Sequence, residues 1–233
     1  DFMRKLFQSK LTNQNVTVIP NFVPYNWMGY LFDRSKVQQN YDSNKRKPRV
    51  LYTGSGAHYD VGNKNGGKDD FSHVNDIVRK TVDKYQWIFV GAYPPPLEDL
   101  VKSGKIEFYR WKSLLEYPNF IVGLNAQLMV APLTENNFNN SKSDIKFVEA
   151  ATLGIPCLCQ DMETYSTAPD DLKFKTGEEL EEKMDWILNY KNRKRYYQNI
   201  GKLREFGLTR RLESNENIGC RMEALTTKFG DPS

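Results

Sequence analysis

Two linked stretches decide the fold: Leu128-Met-Val-Ala-Pro-Leu133, and then Asn137-Phe-Asn-Asn-Ser-Lys-Ser-Asp-Ile-Lys-Phe-Val-Glu149-Ala-Ala-Thr-Leu-Gly-Ile-Pro156, which runs on into Cys157-Leu-Cys159. An apolar run leads to a polar loop, a short helix, a tight turn and a second apolar run. That is a strand-loop-helix-strand unit, the repeating element of a parallel sheet. Ser141 or Ser143 is expected to cap the helix, because a hydroxyl accepts a bond from a free first-turn N–H. The remaining first-turn N–H groups lie at the positive end of the helix dipole, which suits phosphate. Lys142 and Lys146 stand four apart and can face the same anion. Glu149 follows one turn later on that face. A carboxylate repels phosphate but accepts hydrogen bonds from a ribose diol, so the helix reads as half of a nucleotide site. The plain alternative is a capped surface helix with an internal Lys–Glu pair.

Outward from this unit, the same pattern repeats. Arg49 to Gly54, Gln86 to Gly91, Lys105 to Tyr109 and Ile155 to Cys159 read as further strands. Between them, Asp70 to Tyr85 carries apolar residues on one helical face, and Leu114 to Ala126 is expected to be helical with Pro118 in its first turn. The first strand runs into Gly54-Ser55-Gly56 and a long polar loop through His58, Asp60, Gly66, Gly67 and Lys68. Glycines there let the backbone turn sharply or approach a ligand, although the full dinucleotide fingerprint is absent. Residues 161–173 read as loop. Gly177 to Tyr190, Asn192 to Phe206 and Leu208 to Phe229 read as helices, the last two rich in Lys and Arg. Alternating strands and helices make this an α/β protein with a doubly wound, Rossmann-like parallel sheet and extra C-terminal helices. In such sheets ligands bind beyond the strand C-termini. Both the Gly54 loop and the Ser141 helix start lie there.

Composition narrows the classes. The chain has 233 residues, 39% apolar and 27% charged, as a globular protein does. No apolar run reaches the ~18 to 20 residues of a membrane span. The N-terminus shows no signal-peptide core, so the expected location is cytoplasmic; it lacks an initiator Met and reads as a fragment or processed chain. A net charge of +4 permits a polyanionic partner without demanding one. Cys157 and Cys159 share one face of a strand and read as core. Two His and three Cys give no dedicated metal site, and no Asp-x-Asp motif is present. The charged turn Asp42-Ser-Asn-Lys-Arg-Lys-Pro48 marks a boundary near residue 45. No internal repeat is visible.

Taken together, Ile19-Pro-Asn-Phe22, Tyr52-Thr-Gly-Ser-Gly-Ala-His58, Trp87-Ile-Phe-Val-Gly91, Glu116-Tyr-Pro118, Ala131-Pro-Leu133, Phe138-Asn-Asn-Ser-Lys-Ser143, Lys146, Glu149, Gly154-Ile-Pro156 and Tyr165 resemble the C-terminal, donor-binding domain of GT-B-fold glycosyltransferases, in the broad group that includes glycosyltransferase family 4. The resemblance covers nearly the whole chain in order. It implies transfer of a sugar from a nucleotide diphosphate, UDP favoured, to an acceptor hydroxyl, with retention at the anomeric carbon and no cofactor or metal. It implies that Glu149 holds the ribose and that backbone N–H groups from Ser141 through Lys142 and Ser143 to Ile145 contact the diphosphate. The loop with Gly54, Ser55, Gly56 and His58 would approach the donor. Lys68 or Lys146 would neutralise the diphosphate. Ser141 stands where many relatives carry a first glutamate, eight before Glu149. Residues 1–45 would be the tail of an N-terminal domain and a linker, 46–206 the nucleotide-sugar domain, and 207–233 a C-terminal helix. The acceptor-binding half is absent from the sequence, so the fragment alone is expected to be inactive. Its acceptor would be a glycan, a lipid-linked sugar or a modified nucleic acid. The competing classes are a nucleotide-sugar-binding domain without catalysis and a Rossmann-like protein-interaction module.

Overall fold

A computed structural model describes residues 2–10, 19, 21–24, 27, 46–59, 69–209, 218, 219 and 222. Lys68, Asp60, the Gly66-Gly67 pair and most of the expected helix at 208–229 lie outside these residues. Among the described residues a six-stranded, all-parallel sheet forms the centre, in the order β3-β2-β1-β4-β5-β6. The strands are β1 Arg49–Gly54, β2 Gln86–Gly91, β3 Glu107–Tyr109, β4 Leu128–Ala131, β5 Cys157–Gln160 and β6 Lys173–Phe174. The helices are α1 Phe2–Lys10, α2 Asn75–Thr81, α3 Glu98–Lys102, α4 Tyr117–Gly123, α5 Asn137–Asn140, α6 Ile145–Thr152, α7 Gly177–Ile187 and α8 Arg193–Thr209. This is an α/β, Rossmann-like fold with helices beyond the sheet, as the sequence pattern implies. The first strand, β1, lies in the middle of the sheet; the chain winds outward from it to β3 and returns to β4 on the other side of β1. The reversal between β1 and β4 leaves a crevice at their C-terminal ends.

The strands read as continuous apolar runs because both faces are covered. Val50, Leu51, Trp87, Ile88, Phe89, Val90, Leu128 and Val130 are wholly buried. Register is set by Val50 opposite Trp87 on one side and Leu128 on the other. At the opposite end from the crevice, Arg49 grips Glu107 with two guanidinium bonds of 2.9 and 2.7 Å and donates from Nε to the Leu124 carbonyl. One residue thereby ties β1, β3 and the end of α4 together.

Several boundaries differ from the sequence expectation, each for a side-chain reason. α2 begins at Asn75 rather than Asp70, because residues 70–74 form tight turns, with the Phe71 N–H bonded to Asp69 Oδ1 at 2.6 Å. α4 begins at Tyr117 rather than Leu114. Ser113 and Glu116 close a reciprocal capping pair, Ser113 Oγ donating to Glu116 Oε2 at 2.7 Å. The segment read as loop ends in the two-residue strand β6, too short to show a pattern. The turn from α6 to β5 follows the reading: Gly154 takes φ +70°, and the amides of Leu153 and Ile155 bond back to Glu149 and Ala150.

α6 is fixed from behind. Phe147 packs on Phe206 of α8, with ring centroids 5.3 Å apart. Gly207 lies so close that a Cβ there would sit 2.9 Å from the Thr152 amide nitrogen. The buried face of α6 thus orients its other face toward the crevice.

Candidate functional site

The crevice holds a cleft of about 390 Å³. Thr53, Gly54 and Ser55 leave β1 on one side, and Ile145, Lys146 and Glu149 come from α6 on the other. His58 stands beside the Gly54 turn. Trp27, Trp111, Lys112, Leu114 and Tyr117 complete the wall. Gly54, Ser55, His58, Ile145, Lys146 and Glu149 are therefore brought together as the sequence implied. Gly56 begins the short turn Gly56–His58 and is exposed.

Alternation along β1 sets the floor. Tyr52 and Gly54 share a face and Thr53 takes the other. Tyr52 is wholly buried, and a Cβ on Gly54 would come within 2.3 Å of its hydroxyl. Glycine is required there for space. The Tyr52 ring is locked edge-on against Phe71 at 4.5 Å and tilted against Phe89 at 5.8 Å. Lys146 lies over that ring, 4.4 Å from its centroid, and donates to the Tyr52 hydroxyl at 3.2 Å. This is a cation–π and hydrogen-bond seat for one ammonium.

Two groups in the cleft are perturbed in opposite senses. Burial pushes the Lys146 ammonium down to about 8; Asp70 opposes this, and Lys142 adds to it. Burial pushes the Glu149 carboxyl up to about 7, against a hydrogen bond from Tyr117 and the attraction of Lys146. The Tyr117 hydroxyl donates to Glu149 Oε2 at 3.4 Å. Near neutral pH these two groups offer a cation and a carboxyl poised between acid and anion. A perturbed pair of this kind in a cleft makes the cleft a candidate functional site.

A second polar cluster supports the rim. Asp70 is buried and accepts four bonds. Oδ1 takes the Thr134 N–H at 3.0 Å and Asn139 Nδ2 at 2.6 Å; Oδ2 faces His58 Nδ1 at 2.8 Å and Lys142 Nζ at 3.4 Å. Burial opposes its charge, but these donors, His58 first, hold its carboxyl below the ordinary range. One carboxylate thus joins the turn after β1, the loop after β4 and the approach to α6.

The start of α6 departs from the expected capping. Its N-cap is Asp144, not Ser141 or Ser143. Ser141 closes the short helix α5, its hydroxyl donating to the Asn137 carbonyl at 2.6 Å. The amides of Ser141 and Lys142 bond back into α5. The Ser143 hydroxyl accepts from Asn21 Nδ2 at 2.5 Å. Lys142 does not join Lys146 in the cleft: its ammonium turns to Asp70 and lies over the Phe138 ring at 5.0 Å. The amides placed to meet an anion are those of the first turn of α6, beginning at Ile145, which lines the cleft.

Sequence reading missed Tyr52, Asp70, Tyr117 and Trp111 as members of the site. A tyrosine within the strand Arg49–Gly54, two residues before its closing glycine, was the available signal for Tyr52. Asp70 looked like an ordinary helix-start acid. Among the described residues, no group of three or more His, Cys, Asp or Glu side chains comes together as metal ligands, and no helix is long and apolar enough to cross a membrane.

No protein-family model matches the chain, and no curated protein matches it. Among solved structures it is similar to a glycosyltransferase from Rickettsia africae ESF-5, with a TM-score of 0.64 and 13% sequence identity. The likeness covers 97% of this chain and 62% of that one, so the chain spans less than two thirds of the length of that protein. At this identity what the two share is the fold: an α/β, Rossmann-like fold of a kind found in a glycosyltransferase.

Proposed function

We propose that the chain is the donor-binding half of a GT-B-type glycosyltransferase, similar to family 4, which moves a sugar from a nucleotide diphosphate to an acceptor hydroxyl. The observation that carries this reading is the convergence of Lys146, Glu149 and the Gly54-Ser55 backbone on one cleft, at the strand-order reversal of the sheet. The fold likeness to a glycosyltransferase supports it.

In this reading Glu149 accepts hydrogen bonds from the ribose hydroxyls, and Lys146 with the first-turn amides of α6 faces the diphosphate. As the anomeric C–O bond breaks, its electron pair goes to the diphosphate oxygen, where an ammonium and fixed N–H dipoles stabilise the added charge. Ser141, Lys142 and Ser143 shape the approach to that helix. The donor is a UDP-sugar, and the outcome is retention. Residues 1–45 belong to the tail of an N-terminal half and its linker, 46–206 to the donor domain, and 207–233 to a C-terminal helix. The acceptor, a glycan, lipid-linked sugar or modified nucleic acid, binds the N-terminal half, so this chain alone does not turn over. The reaction is placed in the cytoplasm.

Calorimetric titration with UDP, then GDP, tests the reading. The expected result is binding in the micromolar to low millimolar range for one of them. Glu149→Ala weakens it by about 1 to 3 kcal/mol, the value of lost charged hydrogen bonds. Binding without turnover after the N-terminal half is restored would mark a binding domain. No binding to either nucleotide would sink the donor site in favour of a protein-interaction module.

A further inference from the structure

The geometry points to His58 as a proton-taking contact of the diphosphate: Asp70 holds Nδ1, Nε2 meets a phosphate oxygen as a donor, and each bound diphosphate brings one proton onto the imidazole. This rests on the donor-site reading above and adds a role that the reading does not assign.

The argument is one of tautomers. His58 lines the cleft, and its Nδ1 lies 2.8 Å from Asp70 Oδ2. Asp70 is ionised, since it already accepts from Thr134, Asn139 and Lys142. A carboxylate only accepts, so Nδ1 must carry the hydrogen. In neutral His58 the other nitrogen, Nε2, therefore presents a bare lone pair. That lone pair repels an anion. It becomes a donor only when the ring takes a second proton. Among the described residues Nε2 has no partner of its own, and the side chain is 16% exposed.

The surroundings decide when that proton arrives. Asp70 favours the imidazolium. Against it stand burial, Lys146 and Lys142, which together hold His58 below its ordinary value in the free cleft. The Tyr52 ring meets the imidazole edge-on at 6.3 Å, and Glu149 and Lys112 line the same cleft. A diphosphate adds negative charge beside Lys146 and reverses the balance. Lys146 can share in the uptake, so the readout must be specific to His58. Asp70 is then a positioning residue, fixing both the tautomer and the ring.

The chain has two histidines, which makes the test direct. His73 is held by Gln160 at 2.9 Å and is an internal control. Imidazole Cε1–H signals are followed against pH by NMR, with and without saturating inorganic diphosphate. The His58 midpoint is expected to rise by more than about one pH unit while the His73 signal stays in place. In the interval between the two midpoints, the one-proton linkage weakens diphosphate binding roughly tenfold per pH unit. His58→Gln removes that His58 component of the dependence. A His58 midpoint that stays put while diphosphate moves the Trp111 indole signal overturns this inference and leaves the donor site standing. No movement of any cleft signal overturns both. Asp70→Asn, which replaces the acceptor at Nδ1, is expected to cancel the rise; a full rise in a folded Asp70→Asn chain contradicts the positioning role.

Discussion

Replacing Glu149 by Gln should make the protein more stable, and only above a definite pH. Burial lifts the Glu149 carboxyl from an ordinary 4.5 to about 7, even with Tyr117 and Lys146 helping its charged form. The folded chain therefore holds that proton more tightly than the unfolded chain does. A raised pKa contributes stability that is present in full below 4.5 and lost as pH rises through 7. At ~1.4 kcal/mol per pH unit, the rise corresponds to about 3 kcal/mol at pH 8 relative to pH 4. Glutamine mimics the protonated acid, keeping its shape and an oxygen for the Tyr117 hydroxyl. Glu149→Gln should thus match wild type near pH 4.5 and exceed it by about 2 to 3 kcal/mol at pH 8. In a domain of this size that is a gain of roughly 5 to 10 °C in Tm. Denaturant titrations of both proteins at the two pH values, followed by fluorescence and circular dichroism, measure it. UDP should stabilise wild type more than the variant. Equal stability at pH 8 would refute the claim that this carboxylate is held in an unfavourable place for its charge.

Two further substitutions test the neighbours. Lys146→Met removes an ammonium that burial holds at about 8 instead of 10.5, so its charged form is disfavoured in the folded chain below that value; the variant should gain up to about 3 kcal/mol at pH 7, lose that gain above pH 10.5, and bind diphosphate at least tenfold more weakly. Heat denaturation with and without UDP reads both effects. Gly54→Ala places a methyl 2.3 Å from the Tyr52 hydroxyl, and that ring is fixed by Phe71 and Phe89; overpacking at about 1 to 3 kcal/mol and weakened donor binding are expected, measured by urea titration and calorimetry.

What the sequence made legible follows the range of the interactions. β1 and β2 appear at their observed bounds because strands buried on both faces are unbroken apolar runs. Lys146 and Glu149 were readable because one helical turn carries both. The Tyr52 hydroxyl meets Lys146 across 94 residues, and Asp70 meets Lys142 across 72, so no local pattern announces either. Helix starts were misplaced where a side chain takes over the first turn, as at Asp69 and at the Ser113–Glu116 pair. The start of α6 failed similarly. Two serines looked like caps, but Asp144 takes the position, buried and bonded from Thr167 at 2.7 Å. That contact comes from a distant loop, and the Asp144 side chain makes no capping bond of its own. Lys68, the other candidate for the diphosphate, lies outside the described residues.

The cleft is assembled from groups that folding alone would not choose. A buried ammonium and a buried carboxyl each lose hydration, and their attraction leaves both well away from their ordinary values. They stay in place because their positions are set by parts of the chain with no such conflict. Phe147 and Gly207 fix α6 from behind, while Tyr52, Phe71 and Phe89 fix the floor from below. A ligand that supplied an anion to Lys146 and hydroxyls to Glu149 would relieve both groups at once. Removing either charge would also relieve the fold, but without the ligand's help. Substitutions that stabilise the free protein should therefore be the ones that reduce its stabilisation by UDP. An ordinary surface Lys–Glu pair would show neither effect, which makes the opposition of the two readouts the sharpest distinction between a binding site and a solvated helix.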